Sequence, residues 1–474
     1  MGTWNMRFSG LHEARQHGLV AGPKYSRKVG ANVFAVIVEL GLSKRTKGTD
    51  YCLSLRVIDH TYNHSGMAVN IFTTNPILLH HHAAPGDIIR LTQVTVDPFK
   101  DDLNLVFHKQ ISSFALYKGK DANNFHPYQF SSKFIPGAED QRFIAHLRRW
   151  LVSFQFREDP SKFPMIREIK DGFFGLACKI LHCWEVTEDK WGFYVWDSTD
   201  APPNTISSKL EDEINSPLPL TLAPLSLPRE LLCTFPDVGT ILLIIADPAL
   251  VKSQLDVLNS GKWVKIVNLH FEVHAGLWCG IFMPQTRLRY TPNEDSLIIK
   301  RQRLYKERMF LQSGRVPFSC SLPNSLSVTE NTDESVRPMT LMGILTDSKV
   351  TAKYRCLVRV VAAMPCQAEM LPCPDDGIYK LLLTLEDPTA RIRAHVFEKD
   401  GETFFDGYPS TDVLTRKLNR LLGLAEGDGN MRVQDTPRNP PWLSVCIKAF
   451  YKVKTDPWGT RTYRIFDTKI VEEA

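Results

Sequence analysis

No stretch of this 474-residue sequence is long and apolar enough to cross a bilayer. Its strongest apolar run, Ile241–Ala246, falls far short of the ~20 residues a spanning helix needs, and Met1–Pro23 hold no apolar core of the signal-peptide kind. No membrane partner is expected, and the chain is read as one that stays inside the cell. Paired cysteines are lacking as well. The ten cysteines (52, 178, 183, 233, 279, 320, 356, 366, 373, 446) include no C-x-x-C pair, which points to reduced thiols in strands over a disulfide framework or a zinc site. The sequence has neither a G-x-x-x-x-G-K phosphate loop nor a G-x-S-x-G elbow, so no catalytic residue is assigned. His12, Glu13 and His17 resemble a zinc-protease helix, but one residue too many turns the second imidazole about 100° off the metal face. The adjacent His80, His81 and His82 diverge in direction, and the spacing of Cys366 and Cys373 is atypical of a metal site. No metal and no cofactor is expected. Charge of one sign is also scarce: 57 Lys and Arg against 52 Asp and Glu leave +5, which suits local basic grooves and is too small to predict a non-specific nucleic-acid coat.

What is present argues for packed domains. A hydrophobic content of 43% supports substantial cores, the length suits roughly three domains, and 30 prolines favour turns and strand edges over long helices. A pattern then occurs three times. Tyr51–Thr61 (YCLSLRVIDHT), Gly192–Thr199 (GFYVWDST) and Tyr379–Thr389 (YKLLLTLEDPT) are alternating strands that end in Asp-x-Thr. Carboxylate and hydroxyl at that spacing both bond nearby backbone, which makes a tight inter-strand turn. A long apolar strand precedes each turn (Asn32–Leu42, Phe173–Val186, Tyr354–Met364), and another follows it (Met67–Phe72, Thr240–Ala246, Arg391–Phe397). A closing strand is expected around Ile111–Tyr117, Gly280–Leu288 and Thr462–Ile470. This order describes small Greek-key barrels, with a two-sheet sandwich as the alternative. Lys300–Met339, first basic and then rich in Ser, Pro, Asn and Thr, reads as a linker.

Several features suit nucleic acid. The loop Ser43–Asp50 (SKRTKGTD) places three cations beside small hydrogen-bonding residues at a barrel mouth. Phe72 ends a strand and Phe99 adjoins Lys100 at a turn, where aromatic faces beside a cation stack bases of any kind. Phe173, Trp184, Trp191, Tyr194 and Trp196 crowd one hairpin of the second unit; alternation puts Tyr194 and Trp196 on one face, and one or more of the five is expected to be an exposed stacking ring. Lys300–Arg303 (KRQR) fits a nuclear-import signal or, equally, a solvated helix end.

Specific motifs carry a resemblance. TKGTDYC at 46–52, RVIDHT at 56–61, NIF at 70–72, GDIIRL at 86–91 and SSFALYKG at 112–119 closely resemble the OB domain of the protection-of-telomeres family. YRCLVRVVAAMPCQAE from Tyr354, LTLEDPTARIRAHVF from Leu383 and WGTRTYRIFDT from Trp458 look most like its land-plant members. The resemblance implies an all-β-dominated chain with minor helix, built as three tandem OB-fold Greek-key barrels. The expected boundaries are 24–155 for a first, DNA-binding barrel, 160–298 for a second that binds or supports, 299–338 for a linker, and 339–474 for a third, OB-like unit used for protein contacts. It further implies a non-enzymatic protein of the nucleus, at the telomere, that grips G-rich single-stranded telomeric DNA and controls access by the telomerase ribonucleoprotein. Other telomere-capping proteins would dock on the C-terminal unit. By motif, Lys47, Thr49, Asp50, Phe72, Phe99 and Lys100 look like DNA contacts of the first unit and Phe173 like a stacking position of the second. Animal relatives have a stacking tyrosine where this chain has Ala246, which weakens the second unit's claim on DNA. The alternative function is a telomerase-associated subunit with weak DNA binding of its own.

Overall fold

The computed structural model describes residues 7–21, 30–41, 44–74, 83–99, 102–155, 159–188, 190–206, 209–210, 227–251, 255, 257–274, 277–310, 328–333, 335–372, 377–424 and 437–471. Lys100, His80, His81, His82 and Cys373 lie outside the described residues. The first unit contains β1 (Gly30–Gly41), β2 (Lys44–Arg45), β3 (Tyr51–Ile58), β4 (Met67–Thr73), β5 (Ile88–Phe99), β6 (Asp102–Phe107), β7 (Ser113–Tyr117) and β8 (Gln129–Phe130). Strand β1 pairs with β3 and β5, β3 with β4, β4 in parallel with β6, and β6 with β5, so five strands close on themselves. The second unit repeats the circuit with β9 (Gly172–Thr187), β10 (Lys190–Trp196), β11 (Leu242–Ala246), β13 (Leu277–Ile281) and β12 (Trp263–His274), again through one parallel pair, β11 with β13. β14 (Arg287–Arg289) follows, and β15 (Thr329–Glu330) opens the third unit. There β16 (Ala352–Met364), β17 (Lys380–Glu386), β18 (Arg391–Phe397), β20 (Arg461–Phe466) and β19 (Leu443–Tyr451) form a closed barrel, and β21 (Lys469–Ile470) pairs with β15. The chain is therefore three tandem OB-type barrels with a minority of helix.

Two of the expected closing strands are displaced. In the first unit the circuit closes through Asp102–Phe107, while Ser113–Tyr117 pairs outside it with β5 and β8. In the second it closes through Leu277–Ile281, and Arg287–Arg289 leaves the barrel to pair with β12 on one side and β1 on the other. Period-two alternation fills each interior: Leu53, Leu55 and Val57 of β3 meet Met67, Val69 and Ile71 of β4 in one cluster. Each such side chain contributes about 1.5–3 kcal/mol by leaving water.

The Asp-x-Thr turns do more than join two strands. Asp59 accepts from the Thr61 N–H at 2.9 Å and the Thr61 hydroxyl at 2.7 Å, and its other oxygen takes the N–H of Leu11 at 2.8 Å. The Thr61 hydroxyl oxygen in turn accepts from His12 N–H at 3.2 Å. Asp197 and Thr199 hold Ile166 (2.7 Å) and Arg167 (3.1 Å) in the same way, and Asp387 and Thr389 hold Leu341 (2.8 Å) and Met342 (3.0 Å). In each barrel the pair captures the first two N–H groups of a short helix that precedes the first strand: Leu11–Ala21, the 3-10 turn Ile166–Glu168, and Leu341–Thr346. Those are groups a helix start leaves without partners of its own.

The expected linker is largely structured where it is described. Ser296–Phe310 is one helix, and Arg301 and Arg308 are buried against the second barrel, where Arg301 reaches the Phe163 carbonyl at 2.8 Å and Arg308 reaches Asp200 at 3.0 Å. Within KRQR, Lys300 and Arg303 are exposed, while Arg301 is a core contact. The third barrel docks on the second through Arg359, which donates to the Asn204 carbonyl at 2.7 Å, and through Trp458, whose ring lies 3.4 Å from the Arg229 guanidinium.

Two tests follow from these contacts. Thr389→Val removes a hydroxyl that both donates and accepts inside a buried clamp, and should lower stability by about 1–3 kcal/mol in urea unfolding, with Thr389→Ser near native. Buried Glu386 lies between Arg391 and Arg359; burial raises its pKa, but the two guanidiniums outweigh that and hold it below the usual value. Its stabilising contribution is therefore present above the unfolded-state pKa of about 4.3 and lost as pH falls through the lower folded value. Acid unfolding of Glu386→Gln should lack that increment and start from a less stable state at neutral pH.

Candidate nucleic-acid interface

Every second residue of a barrel strand faces outward, and on the first barrel these residues form one ribbon across β3, β4, β6 and β5. Ile71 and Val69 fill the core, so Phe72 and Asn70 face out, and Asn70 bonds the Ser54 hydroxyl of β3 at 2.8 Å. On the same face Thr95 of β5 meets His108 at 2.9 Å. The register carries Ile71 beside Phe107 and Phe99 beside Asp102. Phe72 and Phe99 thus stand about six residues apart along the ribbon, or roughly 20 Å at 3.3 Å per residue. Phe99 is 59% exposed, and Phe72 is half-buried.

The loop expected to meet phosphates closes over the Phe72 end. Thr46 bonds the Asp50 carbonyl through its N–H (2.9 Å) and its hydroxyl (2.7 Å), and Gly48 N–H returns to the Thr46 hydroxyl at 3.3 Å. Lys47 and Thr49 are left exposed at the tip. Both oxygens of Asp50 accept from Lys109 Nζ at 2.9 Å. A carboxylate held this way accepts and never donates while ionised, so it favours base edges that present N–H groups. Lys109 was not singled out in the sequence, because the closing strand is expected there around Ile111–Tyr117 and the strand that Lys109 follows, Asp102–Phe107, is not read. Lys47, Thr49, Asp50 and Phe72 therefore share one end of the ribbon and Phe99 occupies the other.

A second group missed in the sequence lies at the seam between barrels. Glu39 is nearly buried and has three guanidiniums within 3.4–3.6 Å: Arg289, Arg56 and Arg287. One carboxylate among three cations leaves this seam net positive where the ribbon runs toward the second barrel.

The second barrel departs from expectation. Tyr194 joins the cluster shared with the third barrel, while Trp196, opposite Lys179 of β9, joins the second barrel's cluster and packs on Tyr305 of the helix Ser296–Phe310. Both rings are buried, and Trp184 stacks on Tyr194 at 4.4 Å. Trp184 and Trp191 are half-buried, which leaves Phe173 as the exposed ring of the five, 4.7 Å from His270. Ala246 faces inward at 2% exposure and is not the surface position; the outward residue that follows it is the exposed Asp247. An acid there repels phosphate. Among the described residues no three His, Cys, Asp or Glu side chains are grouped to hold a metal.

Residues 20–161 match a family model described as telomeric single stranded DNA binding POT1/CDC13, and residues 324–456 match one described as POT1A-like, OB fold domain. The chain is 36% identical over 442 residues to Protection of telomeres protein 1b of Arabidopsis thaliana, covering 93% of this chain and 94% of that one. It is 35% identical over 458 residues to Protection of telomeres protein 1a of the same plant, covering 93% and 95%. Among solved structures, the crystal structure of fission yeast Pot1 and ssDNA aligns with 64% of this chain and 96% of that one at 15% identity, with a TM-score of 0.27.

If the ribbon carries bases, Phe72→Ala and Phe99→Ala should each weaken single-strand binding by about 1–3 kcal/mol. Asp50→Ala should narrow the gap in affinity between G-rich and C-rich strands. Fluorescence anisotropy on matched oligonucleotides reads all three variants.

Proposed function

The chain belongs to the protection-of-telomeres family, and from that premise we propose that it binds the G-rich single-stranded DNA of chromosome ends along the outer ribbon of the first barrel. The observation that carries this reading is the ribbon itself, with a half-buried ring, an exposed ring and a lysine-anchored carboxylate on one continuous face. Phe72 and Phe99 are the stacking positions, Lys47 and Thr49 reach the backbone from the loop tip, and Asp50 reads base edges. Lys100 is assigned to phosphate beside Phe99. The strand continues across the arginine seam at Glu39 toward Phe173.

Binding of this kind hides the overhang and restricts the access of telomerase, and it places the protein in the nucleus at telomeres. Docking of further capping proteins on the third barrel belongs to the same proposal. A second reading, a telomerase-associated subunit with weak DNA affinity, draws its support from Asp247, because the second barrel offers an anion where a stacking ring would strengthen the grip.

Full-length protein should bind G-rich telomeric single strands in preference to the C-rich complement and to RNA of the same sequence. The logarithm of affinity should fall with the logarithm of salt, with a slope near −0.7 per phosphate neutralised. Folded protein that ignores G-rich strands yet co-purifies with telomerase activity would favour the second reading.

A further inference from the structure

We propose that the outer face of the third barrel is a second binding surface for single-stranded nucleic acid, with Phe397 as its stacking ring and Lys353, Lys448 and Arg464 as its phosphate contacts. This goes beyond the role given to the first barrel and rests on it at one point, the assignment of Phe72.

The correspondence is one of register. Cys52 stands seven residues before the clamp aspartate Asp59 and pairs with Phe72, and Lys380 stands seven before Asp387 and pairs with Phe397. Parity agrees as well. Ile392, Ala394 and Val396 fill the third core, so Arg393, His395 and Phe397 face outward as Asn70 and Phe72 do. The second barrel, which has Asp247 beyond its last inward residue, lacks the ring. The third barrel restores it.

Beside Phe397 runs a row of cations that the fold alone does not explain. Lys353 pairs with Lys448, and Lys448 with Arg464, on three neighbouring strands. Like charges directly opposite one another destabilise a sheet. One carboxylate, Asp400, accepts from Arg464 at 2.5 Å and Lys448 at 3.1 Å. Asp467 also lies in the field of Lys353, but it is engaged by the N–H groups of Thr332 and Asp333 at 3.0 and 2.7 Å. The cations are also held in position: Arg464 donates to the Phe397 carbonyl at 2.6 Å and lies 5.4 Å from its ring, and Lys353 and Lys448 lie 4.9 and 5.7 Å from the Phe466 ring.

This end of the barrel lies opposite the Arg359 contact with the second barrel. The other end of the same hairpin, Glu386 and Arg391, adjoins Arg359, which bonds the second barrel. Lys380 and Lys353 are exposed. A fixed row of cations next to an outward ring matches a phosphate backbone with bases at its side; an acidic peptide would use the cations and leave the ring without a role.

The test uses the full chain with two G-rich telomeric single strands, one of about 10 and one of about 30 nucleotides, since one OB fold covers roughly 4–16. Native protein should bind the longer strand more tightly and with a steeper salt dependence. Lys448→Gln and Phe397→Leu should each weaken the long strand about tenfold and leave the short one unchanged, with circular dichroism and urea unfolding confirming that the third barrel remains folded. A long strand carrying 5-iodouracil should photo-cross-link to the peptide containing Phe397 in the native chain. Native-level affinity of both variants for the long strand, or no cross-link at that peptide, overturns the proposal, and loss of an acidic protein partner alone would assign the face to protein docking instead. Failure of the first-barrel reading looks different: Phe72→Ala would then bind the short strand as native does.

Discussion

Three buried aspartates set the geometry on which everything else is built. Each is coupled to a threonine two residues on, and each pair ties the tip of a hairpin to the start of a helix far away in sequence. A barrel of this size has few ways to fix where its chain enters. The clamp fixes entry by satisfying donors that would otherwise be buried without partners, a deficit of about 1–3 kcal/mol per group. It also sets the point from which register counts. The outward positions of β3, β4, β17 and β18 follow from it by parity alone.

The barrels do not behave as beads on a string. β14 is three residues long, yet it hydrogen-bonds β1 of the first barrel and β12 of the second, which makes one sheet of the two. Buried Lys265 pairs with Asp295 at 2.6 Å at the start of the helix that runs on from this junction, and Lys120 reaches Glu294 across it at 2.5 Å. A strand of DNA leaving the first barrel therefore meets a surface whose orientation is already determined. Such preorganisation spares the entropy of ordering two modules on binding.

Much of this was legible beforehand, for reasons that can be stated. Alternation exposed β3, β4, β17 and β18, and the repeated Asp-x-Thr placed their turns. The closing strands Asp102–Phe107 and Leu277–Ile281 were placed too far along the chain: each turns back at once from β5 or β12, and the parallel pairing that completes the barrel leaves no local mark in the sequence. Lys109 went unnoticed with the first of them. Arg301 looked like part of a surface signal because a basic run has no pattern that reveals one member turned inward. The capture of Leu11, Ile166 and Leu341 was also hidden, because the donors are backbone groups and every sequence has them.

The junction strand has a further consequence for anyone who would take the molecule apart. Cutting after the first barrel removes β14 and leaves Glu39–Gly41 of β1 as a bare edge, with Glu39 stripped of Arg287 and Arg289. Exposed edges of this kind recruit other chains. A fragment ending there would carry a self-association hazard absent from the intact protein, and an oligomer seen with such a fragment would report on the cut.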